Sequence, residues 1–238
     1  MILATKEDVR ASQARVEQML AHTSCRHLGA GHAAKRRYHQ GDAAKQSARV
    51  ADTAESVLSE LEASPDHILL KGCLIDPRWR SRTVAITPRS RDALASEMER
   101  LFERPEVSAV LAAIEVDFCT GRGDPYWRRS IHFVVAVRAD SVPMAKAVIN
   151  AVLARPNSRS VRRPLWLKHV YDLAGAVSYI LKGCLVTSTC ERASFYANDK
   201  SGRRRRMCRK LSLKPAQFVH LLEALAAVPI SDRQLWLN

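Results

Sequence analysis

The stretch VLAAIEVDFCTGRGDPYWRRSIHFVVAV, residues 110–137, decides how the chain folds. Its first limb alternates, with Ile114, Val116 and Phe118 on one side and Glu115 and Asp117 on the other. A strand imposes this period of two on its side chains. Thr120-Gly121-Arg122-Gly123-Asp124-Pro125 is turn chemistry throughout. Ile131 to Val137, rich in Val and Phe, is a second strand. Together the three pieces predict a hairpin. If it pairs about the loop centre between Gly123 and Asp124, Glu115 lies opposite His132. Glu115, Asp117, His132 and Val134 then share one face, and Ile114, Val116, Phe133 and Val135 point towards helices.

Working outward, Thr83-Val84-Ala85-Ile86-Thr87 is a short β-prone run ended by Pro88. Over 90–104, Leu94, Met98, Leu101 and Phe102 fall on one side of a helix. Downstream, Ser141-Val142-Pro143 opens a helix to about Leu153, with proline in its first turn. Pro164 to Tyr171 is a strand, and Asp172 caps a last helix that Gly183 can end. The order β-α-β-β-α-β, then α, predicts an α+β fold. Its core is a ferredoxin-like βαββαβ antiparallel sheet with an added C-terminal helix. Helices are expected on one sheet face, leaving the other free. Order alone carries no function.

Three regions follow. Residues 1–65 form a helical N-terminal region, where Val50, Ala54, Val57, Leu58 and Leu61 share a face of a helix over 42–63. Residues 66–186 hold the core, and 187–238 hold a basic arm and a short helix with Phe218, Leu221, Leu222 and Leu225 on one side. The pentapeptide Leu-Lys-Gly-Cys-Leu occurs at 70–74 and again at 181–185, with no repeat around it.

Across 238 residues, 38 Lys and Arg stand against 24 Asp and Glu, a formal net charge of +14. A hydrophobic fraction of 47% argues against wholesale disorder. No apolar run approaches the roughly 20 residues that cross a bilayer. The polar Thr5-Lys6-Glu7-Asp8 start does not read as a signal peptide. A soluble, cytoplasmic, non-membrane protein is expected. So strong a positive balance points to a polyanionic partner, because each neutralised phosphate releases condensed counterions. The six cysteines include no Cys-x-x-Cys pair, and Cys25, His27 and His32 lack a second ligand pair at zinc spacing. Free thiols in a reducing compartment are expected.

Candidate chemistry sits in three places. Glu115 facing His132 across two strands is either a site for a divalent cation, Mg²⁺ or Mn²⁺, or an exposed Glu–His pair. Tyr179 and Lys182, at i and i+3 of the last helix, suit an oxygen nucleophile beside a cation. Alternatively, the tyrosine merely covers the edge of the core. Between Arg192 and Lys214 there are nine basic residues and one acid, Asp199. Arg203, Arg204, Arg205, Arg206 and Arg209 are there to contact phosphates, or else form a solvated loop. Arg122, Arg128 and Arg129 are basic residues beside the hairpin site.

These pieces resemble the HUH-type endonuclease domain of rolling-circle replication initiators from plasmids and phages. Thr83–Pro88 is similar to the first motif, a strand ending in a Leu-Thr-type pattern. Ile114-Glu115-Val116, the Gly-rich loop, Trp127 and Ser130-Ile131-His132-Phe133-Val134-Val135 are similar to the second, and Tyr179-Ile180-Leu181-Lys182 to the third. The resemblance spans about 70–186. It implies a nickase that holds a divalent cation through His132 and Glu115 to polarise a phosphodiester of single-stranded or hairpin DNA. Tyr179 attacks, supported by Lys182, leaving a 5′-phosphotyrosyl link and a free 3′-hydroxyl. Ser130 stands where the family has its first histidine, and Asp117, on the same face as Glu115, is available to complete the metal set. The same resemblance admits a DNA-binding module of this fold without cleavage. A ferredoxin-like RNA-binding protein ranks below both, since the sheet offers few exposed aromatics for stacking bases.

Overall fold

The computed structural model describes residues 66–76, 78–83, 88–121, 124–156, 161, 163–182, 190–198, 201–214 and 233–237. It also describes position 14 and parts of 56–61 and 216–228. In chain order the elements are β1 (His67–Leu74), β2 (Arg80–Ser81), α1 (Pro88–Phe102), β3 (Val107–Thr120) and β4 (Tyr126–Arg138). Then come α2 (Val142–Leu153), β5 (Leu165–His169), α3 (Leu173–Lys182), β6 (Glu191–Asn198), β7 (Arg204–Leu211) and β8 (Gln234–Leu237). This is an α+β fold around one eight-stranded sheet, in the order β5-β1-β4-β3-β6-β7, with β2 also on β4 and β8 also on β3. The sheet is mixed: β3 and β6 run parallel, and the other pairs are antiparallel.

The β3–β4 hairpin lies at the centre of the sheet, but its register differs from the loop-centred expectation by two residues. Glu115 pairs with Ser130, and His132 with Ala113. The cause is aromatic: Phe118 pairs with Trp127, the rings 5.0 Å apart and tilted, and Trp127 is buried. Cross-strand aromatic contact of this kind outweighs the symmetry of a permissive turn. A shift of two leaves side-chain parity intact, so Glu115, Asp117, His132 and Val134 still share a face.

Both faces of these two strands are apolar, so both must be covered. Val110, Ala112, Ile114, Phe133 and Val135 pack with Leu94, Met98 and Leu101 of α1 and Ile149 and Leu153 of α2. Leu111, Ala113, Val134 and Ala136 pack on the other side with Ala176, Val177, Ile180 and Leu181 of α3. Val57 and Leu61 join this second cluster. The expected open face is therefore closed over much of its area, and only its end beyond α3 is left for polar residues. Each Leu, Ile or Phe so buried contributes roughly 1.5–3 kcal/mol of transfer free energy.

The first strand of the core is β1, which sequence patterning does not reveal. The run expected there is not this strand: Thr83 lies in a bend and 84–87 fall outside the described residues. Gly72 of β1 faces Phe133 of β4, and a Cβ at this position would come within 2.2 Å of the Phe133 ring. Only glycine lets that ring lie flat on the strand.

The starts of α2 and α3 are as expected, whereas α1 begins at Pro88, two residues before the expected start. The Met144 N–H donates to Ser141 Oγ at 3.4 Å to cap α2, and the Gly175 N–H donates to Asp172 Oδ1 at 2.9 Å to cap α3.

The basic arm is not a loop. Arg204, Arg205, Arg206 and Arg209 lie in β7, paired along its length with β6, and β6 joins the upper end of β3 through Phe118–Thr120. Alternating residues of Glu191–Asn198 and their β7 partners supply the ladder that a charge count conceals. Below it, β8 pairs with Val110–Ala113 on the same edge of β3. Phe218, Leu221 and Val228 are buried against the α1–α2 side. No helix among the described residues is long and apolar enough to cross a membrane.

Candidate functional site

Where the cover of α3 ends, the strands turn polar. Glu115 and Asp117 of β3 and Ser130 and His132 of β4 are all buried. A buried charge is tolerated only when paired, and these are. Nε2 of His132 lies 2.6 Å from Oε2 of Glu115, 3.3 Å from Oγ of Ser130 and 3.6 Å from Sγ of Cys73. Cys73 comes from β1, whose register sets it beside His132. Burial disfavours the imidazolium, but the Cys73 sulfur and the Glu115 carboxylate outweigh it, and the His132 pKa is pushed up to about 10. Burial likewise opposes the Glu115 carboxylate, yet the His132 bond and charge hold its pKa below the ordinary value. At neutral pH the two form an ion pair.

From α3, Tyr179 sets its ring edge-on to His132, with centroids 5.5 Å apart. It is half-exposed and lines a cleft of about 470 Å³ together with Trp166, His132, Arg128, Arg163 and Arg192. Its phenol pKa is raised, by burial and then by the Glu115 carboxylate, so these surroundings keep the hydroxyl protonated at neutral pH.

Asp117 does something other than expected. Its carboxylate accepts from Arg128 at 3.2 Å, from Nε of Arg192 and from Sγ of Cys190 at 3.4 Å. Burial works against both guanidinium cations, but negative charge around them holds both pKa values above the ordinary one, with Asp117 the leading influence at Arg192. Burial and the same carboxylate push the Cys190 thiol up to about 11. Asp117 thus fixes two arginines that line open clefts.

The structure therefore brings together Glu115, Asp117, His132, Arg128 and Tyr179, and separates others. Arg129 points to the opposite sheet face, where its guanidinium lies 5.9 Å from the centroid of Trp79. Arg204, Arg205 and Arg209 are exposed on β7, and Arg203 is exposed just before it. Arg122 and the side chains of Lys182 and Arg206 lie outside the described residues, as do Cys25, His27 and His32. Cys73, Arg163, Trp166 and Arg192 are site residues that motif reading misses. Arg192 had a signal, as the first cation of the basic stretch. Cys73 had none, because its strand was not legible.

As a metal site the donors divide. Glu115 Oε2 and His132 Nε2 already converge, and fit a divalent cation replacing the proton between them. Asp117 does not fit, since its oxygens are occupied by guanidiniums that would repel a second cation. Among the described residues, no group of three or more His, Cys, Asp or Glu side chains stands in a metal-holding arrangement. The four described cysteines, at 73, 119, 190 and 208, are free thiols.

Comparison with protein-family models, with curated proteins and with solved structures finds no match to the chain.

Proposed function

We propose that the chain is a DNA-binding replication initiator or related nickase that cuts single-stranded DNA through Tyr179. The observation that carries this reading is the meeting of a helix tyrosine, the His132–Glu115 pair and three arginines in one cleft. The succession β5-β1-β4-β3, with α1 joining β1 to β3 and α2 joining β4 to β5, supports a ferredoxin-like description of the core. It also supports the resemblance to HUH-type initiators for the second and third motifs, which fall on β3–β4 and on α3, but not for the first, Thr83–Pro88, which does not fall on β1.

In this reading the phosphodiester lies between Tyr179 and the arginines. The tyrosine oxygen attacks phosphorus and the P–O3′ bond breaks. Tyr179 keeps the 5′-phosphate as an ester, and its proton ends on the released 3′-hydroxyl. Arg128 and Arg192, held by Asp117, present fixed positive charge to the phosphoryl oxygens as charge builds there. Bound by Glu115 and His132, Mg²⁺ or Mn²⁺ would supply Lewis-acid polarisation of the phosphate.

A second reading, a DNA-binding module of the same fold without cleavage, is favoured by Ser130 in the first histidine position and by the occupied Asp117. One experiment decides between them. The full chain is incubated with a single-stranded oligonucleotide and Mn²⁺, then run under denaturing conditions. The nickase gives a covalent adduct that Tyr179→Phe abolishes. An adduct of equal yield in the Phe variant rules Tyr179 out, and no adduct from the native protein leaves the binding module.

A further inference from the structure

The sheet face that carries Asp117 does not end at β3. Cys119 of β3 and Arg192 of β6 are register partners in the parallel contact, so they point to the same side. Alternation along β6 then adds Ser194 and Tyr196 to that side. Their antiparallel partners bring in Lys210, opposite Arg192, and Cys208, opposite Ser194; Arg204, opposite Asn198, follows. Tyr196 is 49% exposed, and the Arg204 guanidinium lies 5.6 Å from its ring centroid. Arg204 and Lys210 are exposed as well.

A second cleft, of about 320 Å³, lies along this path, lined by Cys119, Tyr126, Ser194 and Cys208. It shares Arg128 and Arg192 with the Tyr179 cleft. The two clefts therefore meet at the seam where Asp117 pins both guanidiniums. From Arg192 to Asn198 the hairpin runs about 20 Å at roughly 3.3 Å per residue. The result is a basic line with one exposed aromatic, leading away from the tyrosine. Cations along a groove with an aromatic platform suit a chain of unpaired nucleotides, since a base stacks on a ring only when it is free of its partner strand.

We propose that this face is a track for the single-stranded DNA flanking the phosphodiester at Tyr179. Arg128 and Arg192 hold a phosphate at the seam, Lys210 and Arg204 hold phosphates farther out, and one base stacks on Tyr196. The track rests on the proposed function for which strand it carries, but binding to it needs no cleavage.

The test uses full-length Tyr179→Phe protein, which leaves DNA uncut, and fluorescently labelled oligothymidylates of about 6 and about 15 nucleotides. Anisotropy titrations are run over a range of salt. Stacking is worth roughly 1–3 kcal/mol per base, which at about 1.4 kcal/mol per tenfold is roughly a 5- to 150-fold change in affinity. Adding Tyr196→Ala should weaken binding of the longer oligonucleotide by that factor. Tyr196→Trp should retain affinity. Arg204→Gln with Lys210→Gln should lower the log–log salt slope by roughly 1.4, at about 0.7 per phosphate contact. The proposal is overturned by unchanged affinity for the longer oligonucleotide in Tyr196→Ala. An equal loss on duplex DNA also overturns it, as does a native protein that binds neither oligonucleotide. An absent covalent adduct, by contrast, removes the nickase and leaves this result standing.

Discussion

Replacing Asp117 by Asn keeps the shape of the side chain and removes its charge. Asp117 is 1% exposed, and its two partners, Arg128 and Arg192, are 18% and 22% exposed. Removing one member of a buried ion pair costs about 3–5 kcal/mol, because the partner charge stays buried without compensation. Here two guanidiniums lose their counter-charge, but both reach some water, so the lower end applies, about 3 kcal/mol. For a chain of this size each kcal/mol moves Tm by about 2–4 °C, so Asp117→Asn should melt about 6–12 °C below the native protein by calorimetry. The control is the same substitution at Asp124, whose 2.8 Å bridge to Arg82 joins side chains that are 78% and 84% exposed. Exposed pairs of that kind contribute about 1 kcal/mol or less, and Asp124→Asn should shift Tm by about 4 °C or less. The two partners of Asp117 are also the proposed phosphate contacts, so single-stranded DNA should recover more of the lost Tm in Asp117→Asn than it adds to the native protein. Equal melting temperatures for the two Asn variants would refute the inference that Asp117 holds the arginines.

Gly72→Ala should cost about 1–3 kcal/mol of stability through overpacking against Phe133; chemical denaturation of the single variant and of Gly72→Ala with Phe133→Leu should show the smaller ring restoring part of it. The His132–Glu115 pair predicts a pH window. His132, raised to about 10, stabilises fully below its unfolded value near 6.5 and progressively less as pH rises to about 10, while the lowered Glu115 pKa removes its contribution as pH falls below the ordinary value of 4.5. The stability gap between native protein and Glu115→Gln, measured by thermal melts across pH, should be widest between about pH 5 and 6.5 and close towards pH 10.

How far the sequence discloses the fold depends on what each segment has to announce. The two sides of β3 and β4 were legible because a period of two survives any even shift in register. The register itself was not, since the loop permits more than one centre and the Phe118–Trp127 contact that selects one is tertiary. β1 was hidden by the residue that makes it work: Gly72 weakens the strand pattern but is what the Phe133 ring requires. The pentapeptide makes the point again, forming strand at Leu70–Leu74 while the described part of its second copy, Leu181–Lys182, is helical. Local propensity is a weak guide when packing decides.

The site was legible where chemistry sits on strong elements and not where several elements converge. Glu115, His132 and Tyr179 stand out on a predicted hairpin and helix. Asp117 was visible, but its role depends on Arg192, which reaches it only because β6 joins β3. In the basic stretch, four consecutive arginines mask alternation, since both faces of the strand carry the same charge.

The outer edge of β3 is completed twice, by β6 at Phe118–Thr120 and by β8 at Val110–Ala113. Both strands lie far downstream in the chain, so the contacts that cover this edge span long loops while the central hairpin is local. While that edge is open, β3 presents unpaired backbone N–H and C=O groups between apolar side chains, which invites pairing with another molecule. Contacts between such distant segments form slowly, since loop-closure entropy opposes them until they are made. The hairpin that carries the proposed DNA track therefore has a second task, as one of two late closures that end the window in which the newly made chain is prone to aggregate.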